Sequence, residues 1–269
     1  MTAPEASEAP PRSTAREQAR GLILAVQFLT RVPTPRLDIR DNADLRDSMG
    51  RATAYFPVVG AMIGLATGAV VLACLRVWPP WLAVTIGLAF EARLSGAFHE
   101  DAVADFCDAF GGGWTRDDVL RILKDSRLGT YGVLGLMLAV ALRGGALASV
   151  EPGRLLAASA ASACLGRWSA LPAMWALPPL SDRQSLSRDV GRRLGLRRVA
   201  FGTLLAVPGC AAFAIAEPAR MLAALAATFA VGAWLVRYVG RRLGGINGDS
   251  LGFLCYATQI VVLLAACAS

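Results

Sequence analysis

The chain has 269 residues, of which 55% are hydrophobic and only 17% charged, with a mean hydropathy of +0.49. Soluble domains carry about 25% charged residues, so this composition excludes an ordinary water-soluble domain and predicts a lipid environment. The net charge of +7 does not point to a nucleic-acid partner, because the arginines cluster between apolar runs, the positive-inside pattern of a multi-pass membrane protein.

Residues 1–20, rich in Pro, Ala, Glu and Arg, are expected to form a disordered tail ahead of a single membrane domain, 21–269. The apolar stretch 21–30 is too short to span a bilayer. It runs into Arg31-Val32-Pro33-Thr34-Pro35 rather than a small-residue cleavage site, which predicts an interfacial or re-entrant helix and not a signal peptide. Seven stretches then approach the roughly 20 apolar residues that a span requires. They are 54–77, 80–98, 128–150, 154–177, 199–216, 220–239 and 251–268. The predicted fold is all-α: a transmembrane bundle of about seven spans with short cytoplasmic and interfacial helices.

Glu91 and Arg93 in the second stretch, Arg143 in the third and Arg167 in the fourth are expensive in hydrocarbon. They are expected to face the bundle interior or a wet cavity, although Glu91 and Arg93 also fit a helix end. Arg12, Arg16, Arg20, Arg31 and Arg36 place the N-terminus in the cytoplasm. Seven spans then put 99–127, 178–198 and 240–250 on that side. The second of these carries Arg183, Arg188, Arg192, Arg193, Arg197 and Arg198, and the third Arg241 and Arg242. The opposite links are short and lack Lys and Arg: Trp78-Pro79-Pro80, Glu151-Pro152-Gly153 and Glu217-Pro218-Ala219. The six cysteines form no CxxC pair and read as small buried hydrophobes.

The chemistry is concentrated in 99–127, expected as a cytoplasmic catalytic loop. Asp101, Asp105 and Asp108 fall at i, i+4 and i+7, which stacks three carboxylates on one helical face. A merely solvated acidic face would be polar throughout, yet the intervening residues are Ala, Val, Phe and Cys. Clustered carboxylates need a compensating cation, and hard oxygen ligands suit Mg²⁺ foremost, with Mn²⁺ or Ca²⁺ as alternatives. Gly111-Gly112-Gly113 ends that helix, and Thr115 is the expected N-cap of a second one carrying Arg121, Lys124 and Arg127. Cations facing carboxylates at a membrane surface suit a phosphate group, although Lys124 and Arg127 could also simply meet lipid headgroups. His99, the only histidine, is a candidate general base or metal ligand. Gly244-Gly245-Ile246-Asn247-Gly248-Asp249 places a further carboxylate on the same side, where a plain turn would read alike.

Together with Phe28-Leu29-Thr30-Arg31-Val32-Pro33-Thr34-Pro35, Phe56-Pro57-Val58-Val59-Gly60 and Lys124-Asp125-Ser126-Arg127-Leu128-Gly129-Thr130-Tyr131-Gly132, these motifs resemble the adenosylcobinamide-GDP ribazoletransferase (cobalamin 5′-phosphate synthase) family along most of the chain. The likeness is strongest across 96–108, against a family pattern of a small-residue turn and His-x-Asp-Gly-x-x-Asp-x-x-Asp-Gly. Ala102 and Ala109 stand where that pattern has glycine, Ala97 where a second glycine is common, and Glu100 where an apolar residue is usual. The resemblance implies joining of adenosylcobinamide-GDP to α-ribazole or its 5′-phosphate with release of GMP. It further implies metal at Asp101, Asp105 and Asp108, catalytic roles for His99, Lys124 and Arg127, and substrate contacts from Arg31, Lys124, Asp125, Ser126, Arg127, Asn247 and Asp249. A bacterial inner membrane is the expected location; a homo-oligomer and a complex with other cobalamin-assembly enzymes both stay open. Two rivals are a CDP-alcohol-type membrane phosphotransferase, whose acids are spaced differently, and a transporter, which would show inverted-repeat symmetry.

Overall fold

The computed structural model describes residues 15–39, 41–180 and 194–268. The tail expected at 1–20 lies outside them up to residue 14, as do Arg12, Arg183, Arg188, Arg192 and Arg193; residues 15–20 belong to the first helix. The described chain is helical, with a single isolated bridge, Pro179 to Ile246.

Helix α1 (Ala15–Leu29) buries Gly21, Leu24, Ala25 and Leu29, one amphipathic stripe that packs on α2 (Asn42–Ala52) and the start of α3 (Phe56–Cys74). The remaining helices are α4 (Pro80–Ser95), α5 (Phe98–Gly112), α6 (Arg116–Ile122), α7 (Thr130–Ala148), α8 (Pro152–Ala176), α9 (Leu196–Ala216), α10 (Pro218–Leu243) and α11 (Gly248–Cys267). Each of the seven predicted stretches is therefore a helix, within a few residues.

By length and apolarity alone the structure is more selective than the sequence. Five helical runs qualify as spans: Asp47–Cys74, Thr130–Ala148, Leu196–Ala216, Pro218–Leu243 and Gly248–Cys267. Helix α4 qualifies only together with α5, across a 91° bend. Helix α8 does not qualify, although its 25 residues would reach ~38 Å at 1.5 Å per residue. Its 17 buried residues, mostly Ala, Ser, Gly and Leu, explain why: other helices surround it, so small size serves it better than hydropathy. Gly60, Gly64 and Gly68 of α3 face it at helical spacing. A Cβ on Gly64 would fall 2.2 Å from the Ser159 carbonyl oxygen, and one on Gly60 2.4 Å from that of Ala163, so only glycine lets these backbones approach.

Polar contacts sort the helix ends into two groups. At one end, Arg220 donates to the Ala268 carbonyl (2.9 Å) and Arg154 pairs with Glu217 (2.9 Å), joining the starts of α8 and α10 to the ends of α9 and α11. At the other, Arg242 donates to the Gly113 carbonyl (2.6 Å), Arg198 pairs with Asp47 (3.2 Å), and Ile246 N–H donates to Pro178 (2.8 Å). This second end gathers the start of α9, the ends of α8 and α10, and the acidic motif. The three segments expected on one side, 99–127, 178–198 and 240–250, meet at this end through Gly113, Pro178, Arg198, Arg242 and Ile246.

Candidate active site

The site begins where α4 breaks. Gly96 and Ala97 adopt left-handed conformations (φ +73° and +55°) and turn the chain into α5. Arg31 fastens this corner: its N–H donates to the Leu94 carbonyl (2.7 Å), and its guanidinium lies against Gly96, where a Cβ would meet Nε at 2.3 Å. Within 99–127 the two expected helices are present as α5 and α6, followed by a turn into α7.

Helix α5 buries Ala102, Val103, Phe106, Ala109 and Phe110. Phe106 stacks on Phe253 of α11 with ring centroids 4.0 Å apart. This apolar face presses α5 to α11 and leaves Asp101 exposed and Asp105 and Asp108 half-buried. Asp101, Asp108 and Asp249 all lie near enough for their charges to act on Asp105. Asn247 caps α11, its Oδ1 accepting from Ser250 N–H (3.2 Å), while its Nδ2 donates to Asp249 (2.8 Å). Asp108 is turned elsewhere. Its two oxygens accept from Gly129 N–H and Gly132 N–H, both at 2.7 Å, capping α7. The acids whose charges meet at Asp105 without capping another helix are Asp101 and Asp249. Among the described residues no three His, Cys, Asp or Glu side chains form a ready cage for an ion. Mg²⁺ does not require one: it commonly takes one or two carboxylates and completes its shell with water and substrate phosphate, so this donor set fits it.

The cations are arranged differently from the sequence reading. Thr115 caps α6 in a capping box with Asp118, as expected, but α6 stops at Ile122. Lys124 and Arg127 therefore sit on the turn Lys124-Asp125-Ser126-Arg127, not on a helical face. Arg127 is exposed and forked onto Asp125 through Nη2 (2.7 Å) and Nε (3.0 Å). Those hydrogen bonds hold the Asp125 carboxyl down at about 2. Lys124 and Ser126 are exposed on the same turn.

His99 is buried, and its Nδ1 has no hydrogen-bond partner. Beneath it lies a charge network that the motif analysis did not single out as a site. Glu91 accepts from Arg143 (2.6 Å) and Thr67 (3.0 Å); Arg143 also donates to Gln259 (2.9 Å) and approaches Glu100 at 3.9 Å; Arg167 stands 3.7 Å from Glu91. Arg93, by contrast, is exposed. The readable signal was opposite charges at depth in α4, α7 and α8.

Residues 21–267 match the family described as cobalamin-5-phosphate synthase. The chain belongs to the cobalamin-5-phosphate synthase family. Similar curated proteins named adenosylcobinamide-GDP ribazoletransferase come from Ralstonia nicotianae, 35% identical over 92% of this chain and 95% of the relative. Others come from Bradyrhizobium diazoefficiens, 36% identical over 96% and 97%, and Shewanella pealeana, 31% identical over 93% and 95%. No solved structure matches the chain.

Within the cobalamin-5-phosphate synthase pattern, the departures now have surroundings. Ala102 packs on Gly252, where a second Cβ would meet its own at 2.4 Å, so the glycine at 252 makes room for the methyl at 102. Ala109 is wholly buried in the α5 core. Glu100 supplies a second carboxylate toward Arg143. Ala97 keeps a left-handed conformation without being glycine.

Proposed function

We propose that this protein joins adenosylcobinamide-GDP to α-ribazole or its 5′-phosphate, releasing GMP, at the cytoplasmic face of a bacterial inner membrane. The observation that carries the reading is the meeting of Asp101 and Asp105 on α5 with Asp249 on α11, while Asp108 ties α5 to Gly129 and Gly132, which follow the cationic α6–α7 turn, in a chain of this family. The ribose hydroxyl attacks the phosphorus nearest the corrinoid; a new P–O bond forms, the bond to the GMP oxygen breaks, and the hydroxyl proton leaves.

Asp101, Asp105 and Asp249 would hold Mg²⁺, or Mn²⁺ in its place. Such an ion, when bound, neutralises diphosphate oxygens and the charge growing on the leaving phosphate. Lys124 and Arg127 offer N–H donors to the same oxygens, with Arg127 exchanging its Asp125 contact for phosphate. Asn247 fixes the Asp249 rotamer, and Arg31 holds the corner from which α5 starts. Asp108 fixes the α5–α7 junction that positions the turn. A carboxylate of the acidic set takes the hydroxyl proton. The apolar helices hold the site at the bilayer surface.

The test is GMP release by the purified chain in nanodiscs, given adenosylcobinamide-GDP, α-ribazole and Mg²⁺. Wild type should release GMP, and Asp101→Asn and Asp105→Asn should each lose at least a hundredfold while remaining folded. Full activity in either variant would remove the metal assignment. CMP release from a CDP-alcohol substrate, without GMP release, would replace the reaction.

A further inference from the structure

Beside the acids lies a cavity of about 210 Å³ between α1, α3, α5, α8 and α11 that the phosphate chemistry does not use. Its wall is apolar. Phe28 stacks on Phe56 with ring centroids 5.5 Å apart and meets Phe98 edge-on at 5.3 Å. Two buried polar side chains interrupt that wall, His99 and Arg167, exposed only 2% and 1%. His99 Nδ1 and Arg167 Nε and Nη1 have no hydrogen-bond partner in the protein. The remaining Nη2 stands 3.7 Å from Glu91, a carboxylate that Arg167 shares with Arg143, so Nε and Nη1 are left as buried N–H donors in a side chain that lines the cavity. Asn247 and Gly248, the two residues before Asp249, complete the wall.

The chemistry of this lining selects its occupant. Aromatic walls favour a flat ring system. Buried donors without partners favour a ligand carrying an acceptor in the ring plane. The volume is below the ~300–1,000 Å³ of pockets for drug-sized ligands, so two fused rings fit and a corrinoid does not. We propose that this cavity binds the benzimidazole base of the acceptor riboside, its ring nitrogen accepting from Arg167, with His99 beside it. A base held there brings its ribose out past Asn247 and Gly248, next to Asp249 and the other acids. The inference rests on the transferase reading above and adds to it where the acceptor sits. It also reassigns His99 from proton transfer to acceptor binding.

The experiment uses the full chain in nanodiscs and two readouts. First, free 5,6-dimethylbenzimidazole is titrated into the wild-type protein by calorimetry and tested as an inhibitor of GMP release. It should bind, compete with α-ribazole, and not compete with adenosylcobinamide-GDP. Second, Ala170→Leu on α8 and Leu251→Phe on α11, which narrow the cavity from two sides, should each raise the α-ribazole KM at least tenfold with the adenosylcobinamide-GDP KM unchanged. His99→Phe should raise the same KM without changing the pH dependence of kcat. Absence of base binding, competition with the diphosphate substrate instead, or an unchanged riboside KM in both folded cavity variants would overturn the assignment. So would displacement of the base by bilayer lipid, which would mark the cavity as an acyl-chain site. If GMP is not released by wild type, it is the transferase reading that fails, and calorimetry with the base still decides the cavity.

Discussion

At the scale of single residues, spacing shows which aspartates share a helical face but not the direction each side chain takes. Asp101, Asp105 and Asp108 do share a helical face, yet Asp108 spends both oxygens on Gly129 and Gly132 N–H groups at 2.7 Å. Residue spacing along one helix cannot reveal that another helix begins within reach. The two roles are separable. In EDTA, Asp108→Ala should lower unfolding stability by about 1–3 kcal/mol, because two backbone donors lose their acceptors. Asp101→Ala should leave stability unchanged or raised, since an exposed carboxylate is removed from among like charges. Thermal unfolding in detergent, followed by circular dichroism, compares the two; equal losses would mean that Asp108 is not a cap. Ala97 allows a cleaner test. Its φ of +55° is left-handed, which costs an L-residue roughly 1–2 kcal/mol. Ala97→Gly should therefore stabilise the protein by about 1 kcal/mol, read as a rise in the same melting temperature.

At the scale of helices, seven apolar stretches were legible because hydrophobic length is a local property; α8 and α10 start two residues before the predicted 154 and 220, at Pro152 and Pro218, because proline is favoured in a helix's first turn. What the pattern could not show is how each helix is rotated about its axis. The meeting of Glu91, Arg143 and Arg167 depends on three such rotations, set by packing across the whole bundle. Two buried arginines share that one carboxylate most closely, so Glu91→Gln should cost about 3–5 kcal/mol, the usual penalty for leaving a buried charge unmatched. Chemical unfolding in mixed micelles would measure it, and a loss below 1 kcal/mol would show that Glu100 alone suffices. The α3–α8 seam sets those rotations. Gly64→Leu would drive a side chain into the Ser159 backbone and should abolish accumulation of folded protein, whereas Met62→Leu on the exposed side of α3 should be silent. Detergent-extracted monomer yield by size exclusion distinguishes the pair.

At the scale of the whole molecule, function depends on which helix ends share a side of the membrane. Charge bias in the sequence and hydrogen bonds in the structure are independent of one another, and both gather the acidic motif with the ends of α8 and α10. Four helices, α7 to α10, lie between α6 and the α10–α11 corner, and this even number is what lets Asp249 meet Asp105; one helix more or fewer would leave them at opposite ends of the bundle. Thiol labelling tests this directly. In a background with the six native cysteines replaced by serine or alanine, a cysteine is placed at Arg121, whose side chain is 73% exposed, or at Gly153, where an added Cβ meets open space. A membrane-impermeant maleimide applied to spheroplasts should label Gly153→Cys at once and Arg121→Cys only after lysis. A third site, Gly248→Cys, should follow Arg121→Cys, because it borders Asp249. Labelling of Arg121→Cys and Gly248→Cys from opposite sides would separate the carboxylates that the reaction needs together, and no arrangement of metal or substrate would restore the site.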